Sequence, residues 1–227
     1  MKKISPADKI YRAAKSLFYE SGYYGTTTRD ITAKSSTNLG LIKYYFDSKK
    51  ILAYKMINEI FDELLDSINK HIKADDDPLF YAMTYTHVFM SMLFNDEKVE
   101  SFVVEAFSDE IMEEIEDAFY RSYQYDLNLK ILETHSFSLK FNTHQTIQLN
   151  LFSFHNAIKS IGRMRQRGRM DITNEQFRLY IFKLILFGLG IDLDDEQKRM
   201  EQSYLLSEKI MSENERLNNP SKIFLEP

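Results

Sequence analysis

The sequence contains no cysteine, and it is poor in glycine and proline. Among 227 residues there are 7 Gly and 4 Pro. The lack of Cys excludes disulfides, thiolate metal sites and cysteine nucleophiles, and it is compatible with a reducing compartment. Sheet-rich folds need many turn residues, and α/β folds need glycines between strands and helices. The scarcity of glycine and proline therefore favours long helices. We therefore expect an all-α fold.

Long apolar runs are also missing. No stretch of about 18 apolar residues exists, which excludes a membrane-spanning helix. The segment Met1–Asp8 is basic but lacks the apolar stretch of a secretory signal. Aromatic residues are plentiful, with 17 Phe and 14 Tyr, so intrinsic disorder is excluded for most of the chain. These features predict a soluble, cytoplasmic protein without a membrane partner.

Charge is unevenly distributed along the chain. The formal net charge is −5, yet residues 1–50 hold ten Lys and Arg against four Asp and Glu, a net of +6. The remainder therefore carries −11. A basic N-terminal region on an acidic body indicates that only this region meets an anionic partner.

The basic region has the signals of three helices. Ser5, Pro6 and Asp8 suit the start of a first helix, whose apolar positions repeat at helical spacing until Gly22. Thr28 is predicted to cap a short second helix through Lys34. Asn38 is predicted to cap a third helix over residues 39–45. Two short helices after an amphipathic one are typical of the helix-turn-helix motif.

The third of these helices meets a geometric requirement for reading DNA. Its N-terminal side chains would have to enter a major groove about 12 Å wide while its neighbours hold the phosphates. Gly40 inside this helix costs roughly 1 kcal/mol relative to Ala. Either close approach to DNA or close contact between two helices would explain a glycine there.

The ordered set of residues in this region resembles the tetracycline-repressor (TetR) family of transcriptional regulators, over about forty residues without a gap. The matching positions are Ile10, Ala13, Ala14, Leu17, Phe18, Gly22, Tyr23, Thr26, Thr27, Thr28, Asp30, Ile31, Gly40, Ile42, Tyr45, Phe46, Ser48, Lys49 and Leu52. Two positions depart from the family pattern. Ser36 stands where the family usually has a turn glycine, and Lys43 where it usually has a tyrosine.

The resemblance implies two domains with different functions. Residues 1–47 would form the DNA-binding domain, here called the head, and residues 48–227 an effector-binding and dimerisation domain, here called the body. The residues that the resemblance places at DNA are Thr26, Thr27, Thr28, Arg29, Leu39, Gly40, Leu41, Lys43, Tyr44, Tyr45 and Lys49. Thr26, Thr27, Thr28 and Lys49 would contact the sugar-phosphate backbone, and Arg29 is the one suited to a bidentate contact with guanine.

The body is expected to form a homodimer and to sense a ligand. Its apolar helices near 144–166 and 174–190 would pair with those of a second copy, so that the dimer reads a palindromic operator. The resemblance implies repression relieved by an unknown small apolar or aromatic effector. Candidate effector contacts among the aromatic residues are Tyr85, Phe89, Phe102, Phe107, Tyr120, Tyr123, Phe152 and His155.

Two alternatives remain open at this point. One is an all-helical enzyme acting on an apolar substrate, but no converging acid, base or metal set is found. The five histidines lack zinc spacing, there is no Glu-x-x-His motif, and there is no glycine-rich phosphate loop. We therefore expect no catalytic residues, no cofactor and no metal. The other alternative is a helix-turn-helix regulator without a small-molecule effector, which a body core without a cavity would favour.

Overall fold

The computed structural model describes residues 4–108, 111, 123–135, 141–191 and 195–226. Every regular element within these residues is a helix, which confirms the all-α prediction. In chain order the helices are α1 Pro6–Ser21, α2 Thr28–Ser35, α3 Leu39–Phe46, α4 Lys49–Ile68, α5 Pro78–Phe94, α6 Glu97–Ala106, α7 Tyr123–Thr134, α8 Thr143–Gln166, α9 Asn174–Leu189, α10 Glu196–Glu213, α11 Glu215–Asn218 and α12 Ser221–Leu225. None of these helices is both long enough and apolar enough to cross a membrane.

Side-chain caps set the helix starts in the head. Ser5 caps α1 and Asn38 caps α3, as the sequence predicts. The prediction of Thr28 as the cap of α2 was wrong, because Thr27 caps it one residue earlier. The reason is the residue three positions on: Asp30 accepts from the Thr27 backbone N–H, while Thr27 Oγ1 accepts from the Asp30 N–H.

The three head helices enclose a small apolar core. Ile10 and Phe18 of α1, Ile31 of α2 and Ile42 of α3 are all buried. Each points inward from its helix because the apolar positions repeat at helical spacing. This core leaves the opposite face of α3 outside the packing.

The body is built around α5, which is buried along nearly its whole length. The helices α4, α6, α7, α9 and α10 all contact it. The helices α8 and α9 pack side by side, and Gly188 allows their close approach, since an added β-carbon there would lie 2.5 Å from Asn150 Oδ1. Gly162 plays the same part where α8 crosses α6, against Val104.

The helix α4 ends at Ile68, with Asn69 as its cap. The C-terminal residues form the two short helices α11 and α12. Ile223 and Phe224 are buried there, so tertiary packing stabilises helices too short to persist alone.

The buried core continues from the head into the body. Phe18 of α1 stacks on Phe102 of α6 with ring centres 5.2 Å apart. Tyr24 N–H donates to Glu105 Oε2 at 3.0 Å. The domain boundary at residue 47 stays a prediction, since the two parts share this packing.

Candidate nucleic-acid interface

The outer face of α3 is open to solvent over most of its length. Leu39 and Tyr45 are exposed, and Tyr44 is exposed over 77% of its surface. Ile42, on the opposite face, is buried and anchors the helix to the head core. The buried face of α3 thus attaches the helix to the head core, and its outer face presents apolar and phenolic side chains to solvent.

Gly40 lies on this exposed face. A β-carbon built at this position would meet only its own cap, Asn38 Oδ1, at 3.3 Å. No other helix of the described chain comes near it. The explanation that Gly40 lets two helices touch is therefore not supported, and close approach of an external partner remains.

The turn before α3 has the backbone shape that a glycine would favour. Ser36 adopts a left-handed conformation with φ 53° and ψ 45°. Its N–H donates to the carbonyls of Thr32 and Ala33, which closes the end of α2. Ser36 thus adopts a turn conformation that suits glycine, at a cost in strain of about 1–2 kcal/mol.

The second departure, Lys43, is exposed at the end of α3. Its ammonium pairs with the carboxylate of Asp47, one turn later. Such an exposed pair contributes little to stability and is readily exchanged for another anion. Lys43 is therefore available to a phosphate at the cost of a weak local contact.

Two residues expected at the phosphate backbone point inward instead. Thr26 is buried, and its hydroxyl donates to the Gly22 carbonyl at 2.8 Å. Lys49 donates to the carbonyls of Tyr23 and Thr26, and its ammonium lies 4.0 Å from the Tyr23 ring centre. We revise their predicted role from direct contact to support of the α1–α2 connection.

The start of α2 lies next to that connection. Thr27 and Arg29 are exposed there, and Thr28 is half-buried. Asp30 was missed as a contributor, although its position three residues after Thr27 signals a capping pair. Hydrogen bonds from the Thr27 hydroxyl and backbone lower the pKa of Asp30, so this carboxylate stays ionised and capped.

A family comparison matches the region just described. Residues 10–53 match the model of "Bacterial regulatory proteins, tetR family". The matched range holds α2, α3, the turn between them and nearly all of α1. Over these residues the chain is similar to the TetR family. The resemblance inferred from the ordered motif is thereby confirmed.

Two curated relatives are similar to part of the chain. The chain is 35% identical over 60 residues to the probable HTH-type transcriptional regulator YttP of Bacillus subtilis (strain 168), which covers 26% of this chain and 29% of the relative. It is 36% identical over 75 residues to an HTH-type transcriptional regulator in the lacX 3' region of Lactococcus lactis subsp. lactis, covering 32% and 37%. The matched segment thus spans about a third of each relative's length.

Structural similarity extends over most of the chain. The tylP protein of Streptomyces fradiae, described as a tetR regulator, has a TM-score of 0.55 at 15% identity and covers 92% of this chain and 97% of its own. At that identity the similarity shows the fold alone. The matched family and the two curated relatives are described as regulators.

The body contains a small cavity between α5, α7, α8 and α9. Its volume is about 50 Å³. Of the predicted effector contacts, Tyr85 and Tyr123 line it. The polar lining residues that the sequence did not single out are Thr86, Gln124, Asn128 and Asn150. No charged side chain of the described residues lines this cavity.

The polar wall of the cavity is largely satisfied by its own hydrogen bonds. Gln124 Nε2 donates to the Tyr85 hydroxyl at 3.2 Å, and Asn150 Nδ2 donates to Asn128 Oδ1 at 2.7 Å. Burial raises the pKa of Tyr85 well above its ordinary value, so its hydroxyl keeps its proton. The cavity is therefore neutral as well as mostly apolar.

The other predicted effector contacts lie elsewhere. Phe102 packs against Phe18 of the head, and Phe152 is exposed on the outer face of α8. Phe89, Phe107 and His155 form part of a buried aromatic cluster. Tyr120 lies outside the described residues. Amphipathic spacing marks a side chain as apolar but does not distinguish a cavity wall from a packed core or an outer face.

Acidic and histidine side chains do not converge anywhere in the described part of the chain. No three of them come together to hold a metal ion. Arg165, near the end of α8, pairs with Glu100 at 3.5 Å, and its guanidinium lies 5.2 Å from the Phe177 ring centre.

Proposed function

We propose that the chain is a DNA-binding transcriptional repressor that acts as a homodimer in the cytoplasm. The observation that supports this most strongly is the exposed face of α3, which begins at Leu39 and Gly40 and ends at Tyr44 and Tyr45. A short capped helix with an open glycine suits close approach to base edges. The net charge of +6 on residues 1–50 favours a polyanionic partner.

The residues proposed to meet DNA fall into two groups. Arg29, Leu39, Gly40, Leu41 and Tyr44 would face bases, where Arg29 can pair with guanine and the leucines can contact thymine methyl groups. The second group would hold phosphates and consists of Thr27, Thr28, Lys43 and Tyr45. Thr26 and Lys49 would position this second group without touching DNA.

Selection of duplexes from a random-sequence library tests this function. We expect enrichment of two inverted half-sites about one helical turn apart, and binding that weakens steeply between 50 and 200 mM salt. Arg29→Ala should relax preference at one position of each half-site. Arg167→Ala, which changes an exposed arginine of the body, is the matched control. Absence of any enriched sequence, or salt-insensitive binding, would refute the proposal.

An exposed apolar surface supports the proposed dimer. Leu149 and Phe152 of α8 and Leu179, Tyr180 and Phe187 of α9 are all exposed, and Phe187 retains 78% of its surface. Such clustered exposure on two adjacent helices is typical of an interaction site. A second copy would cover the same surface by two-fold symmetry.

We further propose that the effector is an uncharged, mainly apolar molecule bound in the cavity between α5 and α7. The absence of a charged lining residue among those described supports this, since an anionic ligand buried there would lack a partner. The present volume of about 50 Å³ is less than the ~150 Å³ of a cavity that binds benzene. A ligand must therefore move a wall, and this would couple binding to conformation.

Indole and indole-3-carboxylate test the charge requirement with one ring system. Indole should raise the melting temperature at millimolar concentration, whereas the carboxylate should not. Ala82→Leu, which fills the cavity, should abolish the shift. Equal effects of both compounds would overturn the proposal. The small volume also favours the second candidate, a regulator without an effector, which absence of any shift would support.

A further inference from the structure

The C-terminal residues 214–225, here called the strap, contact the head as well as the body. The last helix, α12, packs on α1 more extensively than α4 or α6 does. Leu217, Ile223 and Phe224 of the strap are buried. The strap is therefore a structural part of the joint between the two domains.

Phe224 fills the corner where the head meets the body. Its ring centre lies 5.8 Å from that of Tyr19 on α1 and 5.3 Å from that of Phe102 on α6, the latter edge to face. Phe102 in turn stacks on Phe18 of α1. One strap side chain thus touches both domains through pairs that contribute beyond simple burial.

Arg216 joins the strap to a carboxylate that the head also uses. Its guanidinium lies 3.4 Å from Glu59 and 2.8 Å from Glu63, one turn apart on α4. Glu59 also accepts from the Tyr11 hydroxyl at 2.7 Å and from the Lys15 ammonium at 2.6 Å, both on α1. The same Glu59 carboxylate therefore links α1, α4 and the strap.

We propose that Arg216 and Phe224 are positioning residues that hold the head at one angle to the body. The strap thus makes two kinds of contact at the joint: the Phe224 ring packs between α1 and α6, and Arg216 pairs with the α4 carboxylate that also binds Lys15 of α1. For the DNA consequence the inference rests on the proposed function. A dimer whose heads are pre-set at one separation loses less conformational freedom on binding two half-sites.

The absence of cysteine makes a distance measurement straightforward. Nitroxide labels on Ala33→Cys in α2 and Gln202→Cys in α10 would report the head-to-body distance by pulsed electron spin resonance. Both positions are exposed. Dilution with unlabelled protein removes distances between two labelled protomers, so that only the intramolecular distance is measured. The parent should give one narrow distance distribution. Arg216→Ala combined with Phe224→Ala should broaden or shift it by several ångströms.

Matched controls separate positioning from general damage. Glu215→Ala with Leu225→Ala removes neighbouring strap side chains that are exposed, and it should leave the distribution narrow. Arg216→Lys keeps the charge but cannot span both carboxylates, so it should broaden the distribution partway without removing a buried apolar group. This variant serves if the double variant fails to fold. An unchanged distribution in Arg216→Lys and in the folded alanine variants would overturn the proposal.

Binding to selected duplexes supplies the functional readout. The parent should prefer one half-site separation, and the strap variants should bind altered separations within a few-fold of the best one. If the strap variants broaden the distance distribution but still prefer one half-site separation sharply, the functional part of the proposal is overturned. If the parent binds no selected duplex while the distances still respond to Arg216→Lys, the proposed function fails and the positioning role stands.

Discussion

The ammonium of Lys49 lies 2.8 Å from the Thr26 carbonyl and donates a hydrogen bond to it. Lys49 also donates to the Tyr23 carbonyl at 2.9 Å. Both of those residues are buried, so the ammonium satisfies acceptors that water reaches poorly. This relationship makes Lys49, at the start of α4, a structural residue that supports the connection between α1 and α2.

Replacing Lys49 should therefore lower stability. Lys49→Met should reduce the free energy of unfolding by about 1–3 kcal/mol, because two carbonyls lose a donor. Lys43→Met, which removes only an exposed ion pair, should change it by less than about 1 kcal/mol. Urea denaturation followed by circular dichroism measures both. Equal stability of the parent and Lys49→Met would contradict the structural role.

Lys43→Met should instead appear in the salt dependence of DNA binding. Removal of one phosphate contact per protomer should reduce the slope of log K against log salt by about one per contact. Fluorescence anisotropy on the selected duplex between 50 and 200 mM salt measures this slope. An unchanged slope would exclude Lys43 as a phosphate contact.

Gly40→Ala should separate stability from binding. Ala is favoured over Gly in a helix by about 1 kcal/mol. The free energy of unfolding should therefore stay equal or rise by up to that amount, reduced by the cost of shifting Asn38 Oδ1, which would lie 3.3 Å from the added β-carbon. Affinity for the duplex should fall, because a methyl group would project from the exposed face of α3. Unimpaired binding would show that no partner approaches Gly40 closely.

Ser36→Gly should stabilise the head. The left-handed backbone of Ser36 costs an L residue about 1–2 kcal/mol, of which the greater freedom of glycine in the unfolded chain cancels about 0.4–1 kcal/mol. A net gain of about 0.5–1 kcal/mol should appear in urea denaturation. Thr37→Gly, one residue later and at a negative φ, should lower stability instead. A loss in Ser36→Gly would show that the serine makes a compensating contact.

The buried His155 should make stability depend on pH. Burial lowers the pKa of His155 to about 4, whereas an unfolded histidine titrates near 6.5. The unfolded state therefore takes up a proton as pH falls below about 7, and the stability held above 6.5 is lost progressively toward pH 4. His155→Phe should remove about 1.4 kcal/mol of the difference between pH 7.5 and 5.5. His144 is exposed, and His144→Phe is the control. The difference in stability between pH 7.5 and 5.5 should be larger in His144→Phe than in His155→Phe.

Substitution on the exposed apolar surface should change the oligomeric state. Phe187→Glu places a charge where a second copy would bury it, so light scattering should report a monomer at concentrations where the parent is a dimer. Leu205→Glu on α10, also an exposed apolar residue, should leave the dimer intact. A parent that is itself monomeric would refute the proposed dimer.

Local signals in the sequence predicted much of the head. The caps Ser5 and Asn38 and the apolar spacing around Ile10 depend on residues within a few positions of one another, so the helices could be placed in advance. The capping box of Thr173 with Gln176 likewise depends on residues only three positions apart. The error at Thr28 was one residue, because adjacent threonines compete for one cap.

The amino-acid sequence alone determined the helical class, the basic N-terminal region and the ordered motif of the family, since composition and short-range spacing suffice for each. Only the tertiary structure decided that Lys49 and Thr26 turn inward, that Phe152 faces outward while Tyr85 lines a cavity, and that Phe224 joins α12 to the head. Those outcomes depend on contacts between residues far apart in the chain, where many partners of equal hydrophobicity compete and only packing selects among them.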